Sequence, residues 1–116
     1  MIIIKYTLLE YRTEKGRNPY QQWLNTLDTE IQQRIEARIF RFELGNLGDS
    51  KALGRGIFEA RFTIGPGYRV YFGIEGKTIV ILLRGGDKKT QKKDILTAKR
   101  YWNDYLERGN HGSKKY

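Results

Sequence analysis

The sequence predicts an α+β protein of order β-α-α-β-β-β-α, with a mixed, mostly antiparallel four-stranded sheet and a helical hairpin on one face. Three observations carry this. Between Ile57 and Arg84, three short runs rich in β-branched and aromatic residues are separated by Gly65-Pro66-Gly67 and Glu75-Gly76, the pattern of an antiparallel meander. Between Asn18 and Gly45, apolar residues recur at helical spacing. The chain also opens on an apolar, β-branched stretch that reads as one more strand.

Taken in order, Met1 to Tyr11 is the first strand, and the polar stretch Thr13 to Arg17 is a loop. Asn18-Pro19 starts a helix: Asn caps it, and Pro at the first helical position loses no needed N–H. Tyr20, Trp23, Leu24 and Leu27 form its apolar face. Asp28 or Thr29 caps a second helix that ends near Gly45, with Ile31, Ile35, Ile39 and Phe42 as its stripe. Arg34, Arg38 and Arg41 lie off the centre of that stripe. Asn46 to Gly56, Gly-rich and polar, reads as a loop. In the meander, Phe58, Ala60, Phe62 and Ile64 share one face with Val70 and Phe72, because side chains alternate along a strand. That face can cover the helices. Thr90 or Asp87 caps a last helix to about Arg108, lined by Ile95, Ala98, Trp102 and Tyr105, and Gly109 stops it.

At 116 residues the chain is expected to be one domain over 1–108, with a polar tail over 109–116. Lys and Arg number 22 against 13 acidic residues, a net charge of +9, which points to an anionic partner. The absence of cysteine excludes disulfides and thiolate zinc sites. No stretch approaches the roughly 20 apolar residues of a membrane span, and Ile2 to Ile4 is too short for a signal-peptide core. The expectation is a cytoplasmic protein with no membrane association.

The chemistry is expected on the other face of the meander. Alternation puts Glu59, Arg61, Arg69 and Tyr71 there, exposed, with Arg61 and Arg69 on neighbouring strands. Two guanidiniums on a rigid sheet suit a phosphate, since each offers paired donors and stays charged. Lys88 and Lys89 follow the third strand, and Lys51 and Arg55 precede the first. A solvated sheet face with ion pairs such as Glu59 to Arg69 is the plain alternative; the surplus of positive charge favours an anion site. If the anion is RNA, its 2′-OH can attack the adjacent phosphate. The protein then supplies a base, for which Glu59 is a candidate, charge stabilisation from Arg61 and Arg69, and a proton from Tyr71 or a lysine. Tyr71 could instead stack on a base. The single histidine, His111, lies in the tail, which excludes a mechanism using two histidines. Asp87 and Asp94 are too few and too isolated for a metal site, and no cofactor is expected.

The segments Phe58-Glu59-Ala60-Arg61, Gly65-Pro66-Gly67-Tyr68-Arg69-Val70-Tyr71-Phe72 and Leu82-Leu83-Arg84-Gly85-Gly86-Asp87-Lys88-Lys89-Thr90-Gln91 together resemble the RelE/ParE toxin superfamily. Within it the HigB-like branch, also called phage Gp49-like or addiction module killer proteins, is most similar. The resemblance covers nearly the whole chain and includes the Pro-containing first helix with Trp23. It implies a microbial-ribonuclease-like fold and the toxin of a type II toxin–antitoxin pair. The implied activity is metal-independent cleavage of mRNA in the ribosomal A site, with inhibition of translation. The implied partner is a cognate antitoxin of helix-turn-helix, HigA-like type. On this resemblance Arg69 holds the scissile phosphate, Lys89 is a basic catalytic position, and Glu59 and Arg61 form a Glu-x-Arg element. Lys51, Arg55, Tyr71, Arg84, Lys88 and Lys92 are the expected RNA contacts. A tyrosine that some relatives use falls at Ile95 here, and the histidines of some HigB toxins are absent. A ParE-like protein that inhibits DNA gyrase by binding alone is the alternative.

Overall fold

The structure is a computed structural model that describes residues 5–110; the first four residues of the expected opening strand, and His111 in the tail, lie outside the described residues. A strand β1 (Thr7–Glu10) is followed by helices α1 (Pro19–Leu24) and α2 (Thr29–Phe40), the latter running into a 3-10 turn at Arg41–Leu44. Strands β2 (Ser50–Gly54), β3 (Ile57–Arg61), β4 (Tyr68–Glu75) and β5 (Ile79–Asp87) come next. A 3-10 turn at Lys88–Thr90 leads into α3 (Gln91–Asn110).

The α+β class holds, and the strand count is corrected from four to five. The sheet order is β1-β5-β4-β3-β2. β1 pairs parallel with β5, so the first strand does return to the meander. The added strand is β2, in the stretch read as a loop; it pairs antiparallel with β3 and is bulged between Ala52 and Gly54. Its Gly and Lys content hid it: β2 is an edge strand, mostly exposed, and edges carry charge and irregularity rather than an apolar stripe.

The local signals for α1 and α3 act as expected, whereas Asp28, at the N-cap of α2, makes no side-chain capping hydrogen bond. Asn18 Oδ1 accepts the backbone N–H of Gln21 at 3.1 Å, and its amide donates to Glu10 Oε1 at 2.7 Å, tying the start of α1 to β1. Gly45 closes the turn after α2 with φ +89°, a conformation glycine adopts without penalty. Asp87 Oδ1 accepts the N–H groups of Lys89 and Thr90. The helix that follows extends to Asn110, past the stop expected at Gly109.

Both faces of the sheet are buried. On one, Tyr20, Leu24, Ile35, Ile39 and Phe42 from the first two helices and the turn pack on Ala60, Phe62, Val70, Phe72, Val80 and Leu82. On the other, Ala98 and Trp102 of α3 pack on Tyr11, Ile57, Tyr71, Ile81 and Leu83. Two glycines let tryptophans reach the sheet: a Cβ at Gly85 would overlap the Trp23 ring, and one at Gly73 would overlap the Trp102 ring. The face expected to be open is therefore half covered by α3. Ile79 to Leu83 is an unbroken apolar run, the mark of a strand buried on both sides.

Candidate functional site

α3 crosses the second face over β4 and β5, with Asp94 against Gly86 and Trp102 against Gly73, and leaves the side chains of Arg61 and Arg69 partly exposed beside its start. Register fixes what lies there. Lys51, Glu59, Tyr71 and Arg84 form one row across β2, β3, β4 and β5, and Arg61, Arg69 and Gly86 form the next. Two arginines directly opposite one another repel. Glu59, one step along β3, sits between their guanidiniums: Arg61 Nε lies 3.3 Å from Oε1, and Arg69 Nε 3.8 Å from Oε2.

Glu59 has no exposed surface. Its Oε2 accepts the Tyr71 hydroxyl at 3.1 Å and the Gln91 amide at 2.7 Å. Both carboxylate oxygens are engaged by protein groups, which corrects the expectation that Glu59 is exposed. Tyr71 is corrected in the same way. It is fully buried, so it offers no ring face to a nucleobase. Burial, then the charge of Glu59 and the hydrogen bond to it, raise its pKa above the ordinary tyrosine value of 10.0, and the phenol stays protonated as a donor.

The arginines point outward from this buried carboxylate. The Arg61 side chain is 36% exposed and that of Arg69 13%, so both retain Nη groups for a ligand. Lys88 comes to the same place: a Cβ at Gly67 would lie 3.4 Å from Lys88 Cβ and 3.8 Å from Arg69 Nη1. Lys89 and Lys92 are exposed at the turn and on the first turn of α3. Asp87, by capping that turn, fixes the backbone from which Lys88 and Lys89 project. This offsets the mild conflict of cations at a helix start.

Three expected contacts stand differently. Lys51 is on β2, opposite Glu59, and borders the arginine row. Arg84 is turned to α3, where its Nη2 lies 3.3 Å from Asp94 Oδ1; Asp94 also accepts the Thr90 hydroxyl at 2.5 Å and is buried. Arg55 lies in the β2–β3 turn, at the opposite end of β3 from Arg61. Its φ is +56°, and its carbonyl accepts the Trp102 indole N–H at 2.9 Å. The structure does not bring it to the clamp, because the strand direction carries it roughly 20 Å away at about 3.3 Å per residue. Gln91 had no expected role beyond its place in the motif. It is 32 residues from Glu59, and no periodicity connects the two.

Taken together, the geometry defines a class: a small α+β protein whose sheet carries, at one end, a cation cluster organised by a buried carboxylate and suited to an anionic oxygen. The chain belongs to the phage-derived Gp49-like family (DUF891), a RelE-like toxin family, whose model matches residues 22–103. An uncharacterized Haemophilus influenzae protein is 48% identical over 81 residues, 69% of this chain and 82% of that protein. Among solved structures, the toxin–antitoxin complex RelBE2 of Mycobacterium tuberculosis is similar at 28% identity and a TM-score of 0.45, over 73% of this chain and 100% of that one. Among the described residues no helix is long and apolar enough to cross a membrane.

Proposed function

We propose that this toxin-family protein is a ribosome-dependent mRNA endoribonuclease that inhibits translation. The observation that carries the reading is the pair Arg61 and Arg69, held outward from buried Glu59 with Lys88 beside them. The RNA 2′-OH gives its proton to a solvent water and attacks the neighbouring phosphorus, the P–O5′ bond breaks, and a 2′,3′-cyclic phosphate forms. Charge on the phosphoryl oxygens grows as this happens, and fixed guanidiniums stabilise it without reorganising. Arg69 and Arg61 take that role, with Lys88 and Lys92 on flanking phosphates. Lys89, exposed beside them, is the proton donor to the leaving oxygen. Glu59 is a positioning residue. The A site supplies the substrate geometry that an open clamp lacks, so the isolated protein cuts RNA poorly. A cognate antitoxin of helix-turn-helix type is the proposed partner, supported by membership of a RelE-like toxin family.

The test is induction in a bacterial host with metabolic labelling and mapping of mRNA 5′ ends. Wild type is expected to stop protein synthesis and create new ends only within translated regions. Arg61→Ala with Arg69→Ala is expected to lose both effects by at least about a hundredfold, the usual scale for losing transition-state charge stabilisation. The same variant should keep its circular dichroism spectrum. Intact mRNA with arrested DNA synthesis would instead make the protein a gyrase inhibitor and overturn the reading.

A further inference from the structure

Three arginines of α2 and its end are unused by the sheet-face clamp. Arg34, Arg38 and Arg41 follow one another at four and three residues, so they share one side of the helix and span roughly 10 Å of it at about 1.5 Å per residue. With Asp49, Arg61 and Phe62 they wall an open cleft of about 520 Å³ between α2 and the end of β3.

Arg38 is structural. Its guanidinium donates to the Arg61 carbonyl, and to those of Leu47 and Asp49 at 3.2 and 2.7 Å. It also lies 4.4 Å above the centre of the Phe62 ring. It binds α2 to the end of β3 and forms the floor of the cleft. Arg34 and Arg41 differ. Both are exposed, and among the described residues neither side chain makes a hydrogen bond or an ion pair. Adding the guanidiniums of Arg34 and Arg41 to those of Arg38 and Arg61, with Asp49 the carboxylate lining the cleft, costs repulsion that the contacts of the fold do not require. A helix C-terminus offsets it in part for Arg38 and Arg41, but not for Arg34, mid-helix. Arg61 completes the argument, since it belongs to this cleft and to the clamp at once.

We propose that this cleft is a second phosphate site, which receives the RNA backbone beyond the clamp and carries it over the end of β3 onto α2. Arg34 and Arg41 each grip a phosphate through the forked guanidinium, and Arg61 is the shared post between the two sites. RNA is favoured over an acidic polypeptide because the cleft continues a site already read as a phosphate clamp. The proposal rests on that reading of the clamp as RNA-binding, but not on cleavage there.

The experiment measures binding of a 2′-O-methyl RNA hexamer, which cannot be cut, to the full chain across a salt series. Wild type is compared with Arg34→Gln/Arg41→Gln and, separately, with Arg69→Ala. The double variant is expected to bind at least about tenfold more weakly. Its slope of log affinity against log salt should be shallower by about 1.4, at about 0.7 for each single-strand phosphate that is no longer neutralised. Arg34→Lys/Arg41→Lys should restore the slope. A double variant with wild-type affinity and slope overturns the second site, whatever Arg69→Ala does to mRNA cleavage in cells. Conversely, weaker binding by the double variant, with no mRNA cleavage by wild type in cells, keeps the second site and removes the nuclease. Failure of wild type to bind the hexamer, with Arg34- and Arg41-dependent binding of a polyglutamate peptide, overturns the proposal in favour of an acidic protein.

Discussion

Glu59 has no exposed surface, and its oxygens are shared among Arg61, Arg69, Tyr71 and Gln91. Its charge is therefore legible only through what it holds. Glu59→Gln keeps the shape and removes the charge that draws the two guanidiniums together. The expected result is a loss of about 1–3 kcal/mol in urea denaturation, the scale for leaving buried polar groups unpaired. Growth arrest should weaken by about ten- to a hundredfold, and the pH profile of any remaining cleavage should be unchanged. A general base would behave differently, since its removal would abolish the acid limb of that profile. At this scale the sequence was partly readable. Strand alternation brought Glu59, Arg61, Arg69 and Tyr71 to one face. It could not reveal that Glu59 and Tyr71 are buried while the arginines reach solvent, because that depends on where α3 crosses the sheet and on Gln91, far away in the chain.

At the scale of elements, the two tryptophans set how closely helices approach the sheet. Trp23 of α1 rests on Gly85, and Trp102 of α3 rests on Gly73, from opposite sides. Gly73→Ala and Gly85→Ala each add a methyl group where no space exists. Overpacking of this kind costs about 1–3 kcal/mol, and each variant is expected to lower the unfolding free energy measured in urea by that amount. Gly85→Ala displaces α1 from the face of β5, whereas Gly73→Ala acts on α3, which carries Gln91, and is expected also to weaken growth arrest. The caps at Asn18 and Asp87, the stripe of α2 and the β3–β4–β5 meander were all legible, since each is written in local residue types and spacing. β2 was not. A short, exposed edge strand flanked by glycines has the composition of a loop, and only its partner β3 makes it a strand.

For the whole molecule, the sheet lies between α1 and α2 on one side and α3 on the other, and each interface buries tyrosine. Tyr11, Tyr20 and Tyr71 all have pKa values raised above 10.0, in each case first by burial and then by nearby carboxylates. The unfolded chain loses these protons near pH 10 while the folded chain keeps them. Stability from this source is complete below about pH 9 and falls as pH rises past 10, by up to about 1.4 kcal/mol per pH unit for each tyrosine. Urea melts between pH 8 and 11 should show that decline. Of the 8 tyrosines, these three should ionise in the ultraviolet only as the protein unfolds. The +9 net charge predicts a partner; the arrangement of that charge into a clamp and an adjoining cleft comes only with the tertiary structure.

β1 completes the sheet by lying parallel to β5, with Thr7 paired to Ile79 and Glu10 to Leu82. β1 is thus joined to β5 across some seventy residues of intervening chain, and such distant pairings form slowly. The carboxylate that gathers the arginines likewise waits for Gln91. During synthesis the protein therefore has neither a finished sheet nor an organised arginine pair until the chain as far as Gln91 is free to fold.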